Sequence, residues 1–354
     1  MKKTALYLLA ALALTGCKKT QATADGDAAQ QSTEQTGATQ ADADKLLTPE
    51  QIAQQWAKGG AVSVKGGGEK PDIITLVSAF NKAWPTDVTT TLLESAKDPK
   101  FTEYVNEDTG GGMACDRGNG YVSVSAGDTD EDCMEAAVWK RKNGHRLFII
   151  NLVSTNPDNR SLPEKQALCI YDYDPKTETM TPEENTVSKF HTSADDLKLM
   201  YRLPRNGTDL TIGETNEGRE DVLWHFFEWN GSQFSEAIAY TEKELIKKIE
   251  GSWMCKDSDE PMLTFNIVAD DANGPQIEDC AIYGSTEYDA FAYTWDGTLI
   301  ISENGDMEEG RNPAIYCQFR LTKQDELTGT YYLRQNGGNE TKGTITLKRG
   351  NPAW

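Results

Sequence analysis

The stretch "LIKKIEGSWMCKD", residues 245–257, changes from a helical pattern to a strand pattern within a few residues. Upstream of it, Thr241 and Glu244 have the spacing of a helix N-cap and its capping-box partner, and Gly251 follows the last apolar residue of the helix. The apolar period then becomes two, which is typical of a β-strand. A short helix with clear start and stop signals therefore marks a domain boundary and predicts a β-domain over residues 241–354.

Eight strand-like runs follow this boundary, near residues 252–256, 262–268, 279–285, 289–295, 298–302, 314–321, 327–334 and 342–349. Their alternation predicts one apolar interior face, which consists of Trp253, Cys255, Leu263, Phe265, Ile267, Cys280, Ile282, Phe291, Tyr293, Trp295, Ile315, Cys317, Phe319, Leu321, Tyr331, Leu333, Ile345 and Leu347. Eight antiparallel strands can close into a barrel that is either filled by side chains or wide enough for one small ligand.

Gly251 and Trp253 on the first strand, and Arg349 at the end of the last, resemble the motif of the lipocalin-like (calycin) family. In that family the tryptophan packs at the closed end of the barrel and the basic residue lies across it. The resemblance covers roughly residues 250–354 and implies an eight-stranded lipocalin-like β-barrel. A small apolar ligand inside such a barrel would contact inward-facing side chains, for which we name Phe265, Ile282, Tyr293, Trp295, Phe319 and Tyr331.

The first 17 residues, "MKKTALYLLAALALTGC", have the order of a secretory signal peptide, with two lysines before an apolar run. Leu14–Cys17 resembles the lipobox of bacterial lipoproteins, a family in which acyl chains such as palmitate are attached at the cysteine and the chain is cut just before it. The resemblance implies a lipoprotein signal peptide over residues 1–16 and a membrane anchor at Cys17. Lys18 and Lys19 replace the aspartate that tends to keep such proteins at the inner membrane, so we expect the outer membrane.

Residues 17–45 are predicted to be a flexible acidic and polar tether. Between residues 18 and 44 there is no aromatic residue and no Val, Ile, Leu or Met, so this segment cannot bury enough apolar surface to fold.

The sequence of residues 46–240 predicts helices followed by an antiparallel β-meander. Helix signals lie at Thr48 and along an apolar stripe that begins at Ile73, and a weaker helical pattern covers residues 87–97. From about residue 112 the period becomes two, and Asn-Gly pairs between apolar runs predict tight hairpins at residues 143–144, 206–207 and 230–231. A partial propeller is an alternative interpretation of this strand–turn–strand pattern.

The net charge of the chain bears on one class of partner. The formal net charge of −21 disfavours binding to nucleic acid, because an acidic surface repels phosphate backbones.

The cysteines could form disulfides, because an exported chain meets an oxidising compartment. The sequence does not decide which pairs would form among Cys115, Cys133, Cys169, Cys255, Cys280 and Cys317.

No catalytic or metal-binding motif is recognisable. The three histidines, His145, His191 and His225, have no nucleophile in a known spacing, and the sequence lacks phosphate-loop and dinucleotide fingerprints. Acidic clusters at Asp128–Asp132 and Asp270–Asn273 lack the complete calcium-loop spacing. We therefore predict no catalytic residues, metal or cofactor.

The sequence as a whole favours a non-catalytic, lipid-anchored cell-envelope protein, with a periplasmic or surface face, that binds a small apolar ligand or an envelope protein partner. The alternative is an envelope hydrolase, for example one acting on glycans through paired carboxylates, since the 56 acidic residues leave such a pair open.

Overall fold

The computed structural model describes residues 46–106, 111–126, 132–154, 165–187, 198–215, 221–255, 261–270, 274–282, 288–289, 291–303, 315–334 and 340–350. These residues form two compact units, which divide between Ala239 and Tyr240. The protein is mainly β with antiparallel sheets, as predicted, and its first three helices precede the long strands. The predicted signal peptide, Cys17 and the tether lie outside the described residues.

The helices of the N-terminal unit lie where their capping signals predict them. They are α1 (Pro49–Gln55), which continues as a 3₁₀ turn (Trp56–Lys58), α2 (Ile73–Ala83), α3 (Asp87–Ser95) and the short α4 (Glu184–Val187). At the start of α1, Thr48 and Gln51 form a reciprocal capping box. The predicted stripe on α2 is buried, with Phe80 fully so, which shows that this face packs into a core.

The N-terminal unit contains an eight-stranded antiparallel sheet with the order β1-β8-β7-β6-β5-β4-β3-β2. Its strands are β1 (Val62–Ser63), β2 (Glu103–Val105), β3 (Gly112–Asp116), β4 (Tyr121–Ser125), β5 (Cys133–Lys140), β6 (Arg146–Ser154), β7 (Lys165–Asp174) and β8 (Thr179–Pro182). The predicted Asn143-Gly144 turn joins β5 to β6, and Gly144 has a φ of 91°. Only a residue without a Cβ adopts such a φ without strain.

A second, four-stranded sheet has the order β12-β11-β10-β9, with β9 (Lys198–Arg202), β10 (Asp209–Thr215), β11 (Leu223–Trp229) and β12 (Phe234–Thr241). The other two predicted Asn-Gly pairs lie between β9 and β10 and between β11 and β12. The first of them lies in a six-residue connection, residues 203–208, and so does not form the tight hairpin that was predicted. An eight-stranded sheet beside a four-stranded one is not an array of equal blades, so the propeller interpretation is wrong.

The helices and the four-stranded sheet pack on opposite faces of the eight-stranded sheet. On one face, Phe80 of α2 makes an edge-on contact with Phe148 of β6, with ring centroids 6.5 Å apart. On the other face, the buried Asn151 of β6 donates a 2.9 Å hydrogen bond to the Tyr201 carbonyl of β9. The central strands β6 and β7 are apolar on both faces because both are covered.

The C-terminal unit is one helix followed by a single sheet. Helix α5 (Glu242–Ile249) precedes β13 (Gly251–Cys255), β14 (Pro261–Asp270), β15 (Gly274–Ile282), β16 (Tyr288–Asp289), β17 (Phe291–Trp295), β18 (Thr298–Glu303), β19 (Ile315–Leu321), β20 (Glu326–Arg334) and β21 (Glu340–Arg349). The nine strands are antiparallel in the order β16-β15-β14-β13-β21-β20-β19-β18-β17, and the sheet curls into a half-barrel. Among the described residues no ladder joins β16 to β17, and these strands do not show a closed eight-stranded barrel.

The inner face of the curled sheet matches most of the predicted interior. The described inward-facing side chains that are buried are Trp253, Leu263, Phe265, Leu299, Ile301, Cys317, Phe319, Leu321, Leu327 and Leu347. Leu299, Ile301 and Leu327 were not part of the predicted face.

The prediction of the interior is wrong for β17. Leu299 pairs with Thr294 on one side and with Phe319 on the other, so Thr294 shares the inner face. Tyr293 therefore lies on the outer face, where 48% of it is exposed, whereas the side chains of Phe291 and Trp295 lie outside the described part of the structure. The two-residue turn at Asp296-Gly297, in which both residues have positive φ, sets this register. Because Leu299-Ile300-Ile301 is apolar on both faces, alternation alone could not fix its orientation.

The sequence left the disulfide pairing of six cysteines undecided. Five of them are described, and none of the five forms a disulfide: Cys115, Cys133, Cys169, Cys255 and Cys317. The side chain of Cys280 lies outside the described part of the chain. Cys317 is buried, as predicted from its inward position, whereas Cys255 is only half-buried because it ends its strand.

Candidate functional site

The six residues predicted to contact a ligand do not form one lining. Phe265 and Phe319 lie on the inner face of the curled sheet and are each 1% exposed, and Tyr331 lies on the same face, half-buried. Tyr293 lies on the opposite face. Ile282 is paired with Leu263 and Trp295 with Thr298, but their side chains lie outside the described part of the structure.

Gly251, Trp253 and Arg349 do meet at one end of the sheet. Gly251 leads from α5 into β13 with a φ of 97°, a conformation that residues with a Cβ rarely adopt. Trp253 is fully buried and its indole Nε1 donates a 2.7 Å hydrogen bond to the Ile249 carbonyl. The guanidinium carbon of Arg349 lies 4.8 Å from the centroid of the Trp253 ring, within cation–π range.

Arg349 also ties the last strand to the end of α5. Its guanidinium donates to the carbonyls of Lys248 and Glu250, and its Nε donates to Asp325 at 2.7 Å. The C-terminal carbonyls of a helix carry partial negative charge and lack partners within the helix. The arginine therefore satisfies these carbonyls while it covers the indole.

Helix α5 fills this end of the half-barrel. Its side chains Leu245 and Ile249 are fully buried, and the Tyr240 hydroxyl just before the helix accepts a hydrogen bond from the Leu321 amide. At the N-terminus of α5, the Glu242 carboxylate accepts hydrogen bonds from the Gly297 amide and the Thr294 hydroxyl. The inner face is less covered farther from the helix, where Cys255, Tyr331 and Ile345 are half-buried.

Two histidine–carboxylate clusters in the N-terminal unit were not predicted from sequence. In the first, His145 Nδ1 lies 2.7 Å from Asp172, and Arg141 contacts both Asp172 and Glu183 at 2.9 and 2.6 Å. Arg141 also stacks over Trp229 at 5.2 Å, so it links the two sheets of this unit. His145 directly follows the Asn143-Gly144 turn, at the point where the chain re-enters the sheet. This turn is the sequence signal from which the cluster could have been located.

The second cluster lies on the four-stranded sheet. His225 Nδ1 is 2.6 Å from Glu236, and its Nε2 is 3.6 Å from Glu214. Glu214 is buried, whereas Glu236 is exposed. Since the imidazole contacts both carboxylates, the arrangement is that of an ion network and not of two carboxylates that flank an open cleft.

No group of three His, Cys, Asp or Glu residues within the described ranges could hold a metal ion. None of the described helices is both long and apolar enough to span a membrane.

An exposed sheet edge is the third notable feature of the N-terminal unit. Strand β2 ends the eight-stranded sheet, and its residues Tyr104 and Val105 are 50% and 58% exposed. The Thr102 carbonyl accepts from Cys115 and the Asn106 amide donates to Gly111, so these even-numbered residues face β3. The backbone groups of Glu103 and Val105 therefore point away from the sheet, as on an antiparallel edge.

Comparisons of this chain with protein-family models, curated proteins and solved structures found no significant match.

Proposed function

We propose that the protein is a lipid-anchored, non-catalytic binding protein of the cell envelope whose partner is another envelope protein. The observation that carries this proposal is the packed inner face of the curled sheet. Trp253, Phe265 and Phe319 are each at most 1% exposed, and α5 covers the end of the sheet at which they lie. A filled interior favours a partner held on the outside over a small apolar ligand held within.

We further propose that the half-barrel belongs to a lipocalin-like barrel. The contact of Arg349 with Trp253 and the positive φ of Gly251 support this assignment. A small apolar ligand in such a barrel would have to bind near Tyr331 and Ile345, where the inner face is least covered.

The partner site that we propose is the edge strand β2. Outward-pointing backbone groups at Glu103 and Val105 can pair with an extended segment of another protein, and the exposed Tyr104 and Val105 side chains can give such a pairing its specificity. An edge of this kind, if left open, is also a risk for uncontrolled association, which a natural partner would remove.

The anchor that we propose is acylation of Cys17, with the outer membrane as its location. It rests on the lipobox-like Leu14–Cys17 and on Lys18-Lys19. More than one acyl chain on a residue gives durable attachment, since each buried methylene contributes about 0.8 kcal/mol.

The envelope hydrolase remains the alternative, and Glu214 with Glu236 is the carboxylate pair that favours it. Its weakness is the engagement of both carboxylates by His225. Release of reducing sugars from envelope glycan by the parent, with loss in a Glu236→Gln variant, would establish the hydrolase in place of the binding protein.

Site-specific photo-cross-linking in intact cells tests the partner. A photoreactive residue at Val105 is expected to give one discrete protein adduct, and the same residue at Lys97, which is exposed in the turn after α3, is expected to give none. Equal adducts at both positions, or none at Val105, would contradict the edge-strand site.

Fractionation tests the anchor separately. A Cys17→Ser variant is expected to leave the membrane fraction, because the acceptor of the lipid is gone. Partition of this variant with membranes to the same extent as the parent would contradict the anchor.

A further inference from the structure

Four Asn-Gly pairs lie within the described residues, at positions 119–120, 143–144, 206–207 and 230–231. In such a pair the glycine amide nitrogen can attack the side-chain carbonyl carbon of the asparagine, because glycine has no Cβ to obstruct the approach. All four glycines have positive φ values, between 66° and 100°, so backbone conformation does not distinguish the pairs. Their hydrogen bonds do distinguish them.

The pair at Asn143-Gly144 is held by its own turn on both sides of the reaction. The Asn143 side-chain oxygen accepts a 3.0 Å hydrogen bond from the His145 amide, which fixes the side chain. The Gly144 amide donates to the Arg141 carbonyl at 3.2 Å, which occupies the attacking nitrogen. Both bonds have to break before the nitrogen and the carbonyl carbon can meet.

Two further pairs are each held by bonds within their turns. The Gly120 amide donates to the Arg117 carbonyl at 3.3 Å, so the attacking nitrogen of that pair is occupied. The Asn230 side-chain oxygen accepts from the amides of Ser232 and Gln233 at 2.9 and 3.1 Å. Rotation of the Asn230 side chain toward its glycine therefore costs two hydrogen bonds.

Asn206-Gly207 is not held in this way. Both residues are exposed, and they lie in the six-residue connection between β9 and β10, which is longer than a tight turn. Within the described part of the chain, the Gly207 amide has no hydrogen-bond acceptor, and the Asn206 side chain has no bond to its own connection. The nitrogen and the carbonyl carbon of this pair can therefore meet without loss of a turn.

The one hydrogen bond that the Asn206 side chain does make assists the reaction. The Asn119 side-chain nitrogen donates to the Asn206 side-chain oxygen at 2.9 Å, and it also donates to the Asp116 carboxylate at 2.8 Å, which fixes its direction. Attack at the carbonyl carbon turns the Asn206 oxygen into an oxyanion. A donor that is already in place stabilises this developing charge.

We propose that Asn206 is a site of spontaneous deamidation in the folded protein, with Asn119 as the donor to the reacting carbonyl. The Gly207 nitrogen forms a bond to Asn206 Cγ, and its proton passes through water to the leaving side-chain nitrogen. The bond from Cγ to that nitrogen breaks, and ammonia is released. Water then opens the resulting succinimide at either carbonyl and leaves aspartate or isoaspartate at residue 206. Nothing is oxidised or reduced, and water is the only co-reactant.

The product adds a carboxylate close to β2, the proposed partner site. Asp116, which holds Asn119, also lies 3.4 Å from Arg205, and Arg205 lies 3.6 Å from Glu103 at the start of β2. Deamidation therefore adds negative charge next to the network that ends at this edge strand. The link to a partner rests on the function proposed above, whereas the reaction itself does not.

Peptide mass mapping of the full chain after incubation in mildly alkaline buffer tests the proposal, because each conversion replaces an amide by a carboxylate. In the folded protein we expect Asn206 to convert at least about fivefold faster than the other three asparagines, since their turns must first open. In urea, where no turn persists, the four rates are expected to become similar. Asn206→Gln is the matched control and should not convert, because its attack would have to close a less favourable six-membered ring.

Asn119→Ala is expected to slow the conversion of Asn206 and to leave that of Asn230 unchanged, with circular dichroism as the check that the variant is folded. Conversion of Asn206 no faster than that of the other three in the folded protein would overturn the proposal. An unchanged or faster conversion in Asn119→Ala would overturn the role of Asn119. Conversion of Asn206 in a protein that gives no adduct at Val105 would leave this proposal standing while the partner site fails.

Discussion

Trp253 is the residue on which the C-terminal unit depends most. It is fully buried, its indole donates to the Ile249 carbonyl, and the Arg349 guanidinium covers its ring. One side chain thus connects the helix, the first strand and the last strand. The Gly-x-Trp spacing pointed to this role, and the partner at Arg349 followed from the family resemblance.

Replacement of Trp253 by Ala is expected to lower the free energy of unfolding by about 3–5 kcal/mol, because a large buried side chain is lost. Chemical denaturation followed by circular dichroism measures this change. Trp253→Phe is the matched control and should cost about 1–2 kcal/mol, since it keeps most of the volume but loses the indole N–H bond. An Ala variant as stable as the parent would mean that the strand is out of register by one residue.

Asp116 gives a prediction about pH. Partial burial alone would raise the pKa of its carboxyl, but hydrogen bonds from the backbone and side chain of Asn119, together with nearby Arg205, lower that pKa below its ordinary value. A lowered pKa in the folded state stabilises the fold above the unfolded-state pKa of about 3.9, and the contribution disappears as the pH falls through the folded-state pKa.

Asp116→Asn is therefore expected to lower the free energy of unfolding at neutral pH, by at most about 1 kcal/mol because solvent screens this partly exposed carboxylate, and by progressively less below about pH 4. Urea denaturation of variant and parent across this range measures the difference. Glu94→Gln, which removes one partner of a solvent-exposed ion pair, should show almost no effect at either end. A loss of stability for Asp116→Asn that is the same at neutral pH as below about pH 4 would contradict the role of the Asp116 charge.

At the scale of elements, start and stop signals were the most informative part of the sequence. The capping boxes at Thr48 and Thr241 are present as predicted, and the Asn-Gly pairs at residues 143–144, 206–207 and 230–231 all join neighbouring strands. These signals are local, because a cap or a tight turn is decided by the few residues that form it.

Strand order and orientation were less predictable. The division of the meander into an eight-stranded and a four-stranded sheet depends on packing between distant residues, such as Asn151 with the Tyr201 carbonyl. The inward assignment of Tyr293 was wrong because β17 turns the smaller Thr294 inward, where its hydroxyl donates to Glu242 of α5, although the aromatic residues of this strand stand at the odd positions. The clusters around His145 and His225 were missed because their carboxylate partners come from other strands, and the sequence does not show which strands are neighbours.

Thiol labelling tests the register of the curled sheet. Burial raises the pKa of Cys317 to about 12 and that of Cys169 well above its ordinary value, so both thiols should resist a bulky maleimide in the folded protein. Cys255, half-buried at a strand end, is expected to react first of the three. Peptide mass mapping before and after unfolding measures the order. Rapid labelling of Cys317 in the native protein would contradict its inward orientation.

At the scale of the whole molecule, the contacts divide the chain between Ala239 and Tyr240. The Tyr240 hydroxyl accepts from the Leu321 amide, and Thr241 caps α5, so both belong to the C-terminal unit. A fragment of residues 240–354 is therefore expected to unfold cooperatively on heating, as followed by circular dichroism. A fragment that starts at residue 245 should be less stable by about 1–3 kcal/mol, because it lacks the tyrosine and the cap. A fragment 240–354 without a cooperative transition would show that the unit does not fold alone.

Native mass spectrometry of the protein purified from its own envelope tests the central claim most directly, because one spectrum reports both the anchor and the contents of the half-barrel. The account predicts the mass of a chain that begins at Cys17 and carries acyl groups, with no small molecule retained. A chain without acyl groups would contradict the lipid anchor, and a stoichiometric apolar ligand that dissociates on collision would contradict the filled interior and the function drawn from it.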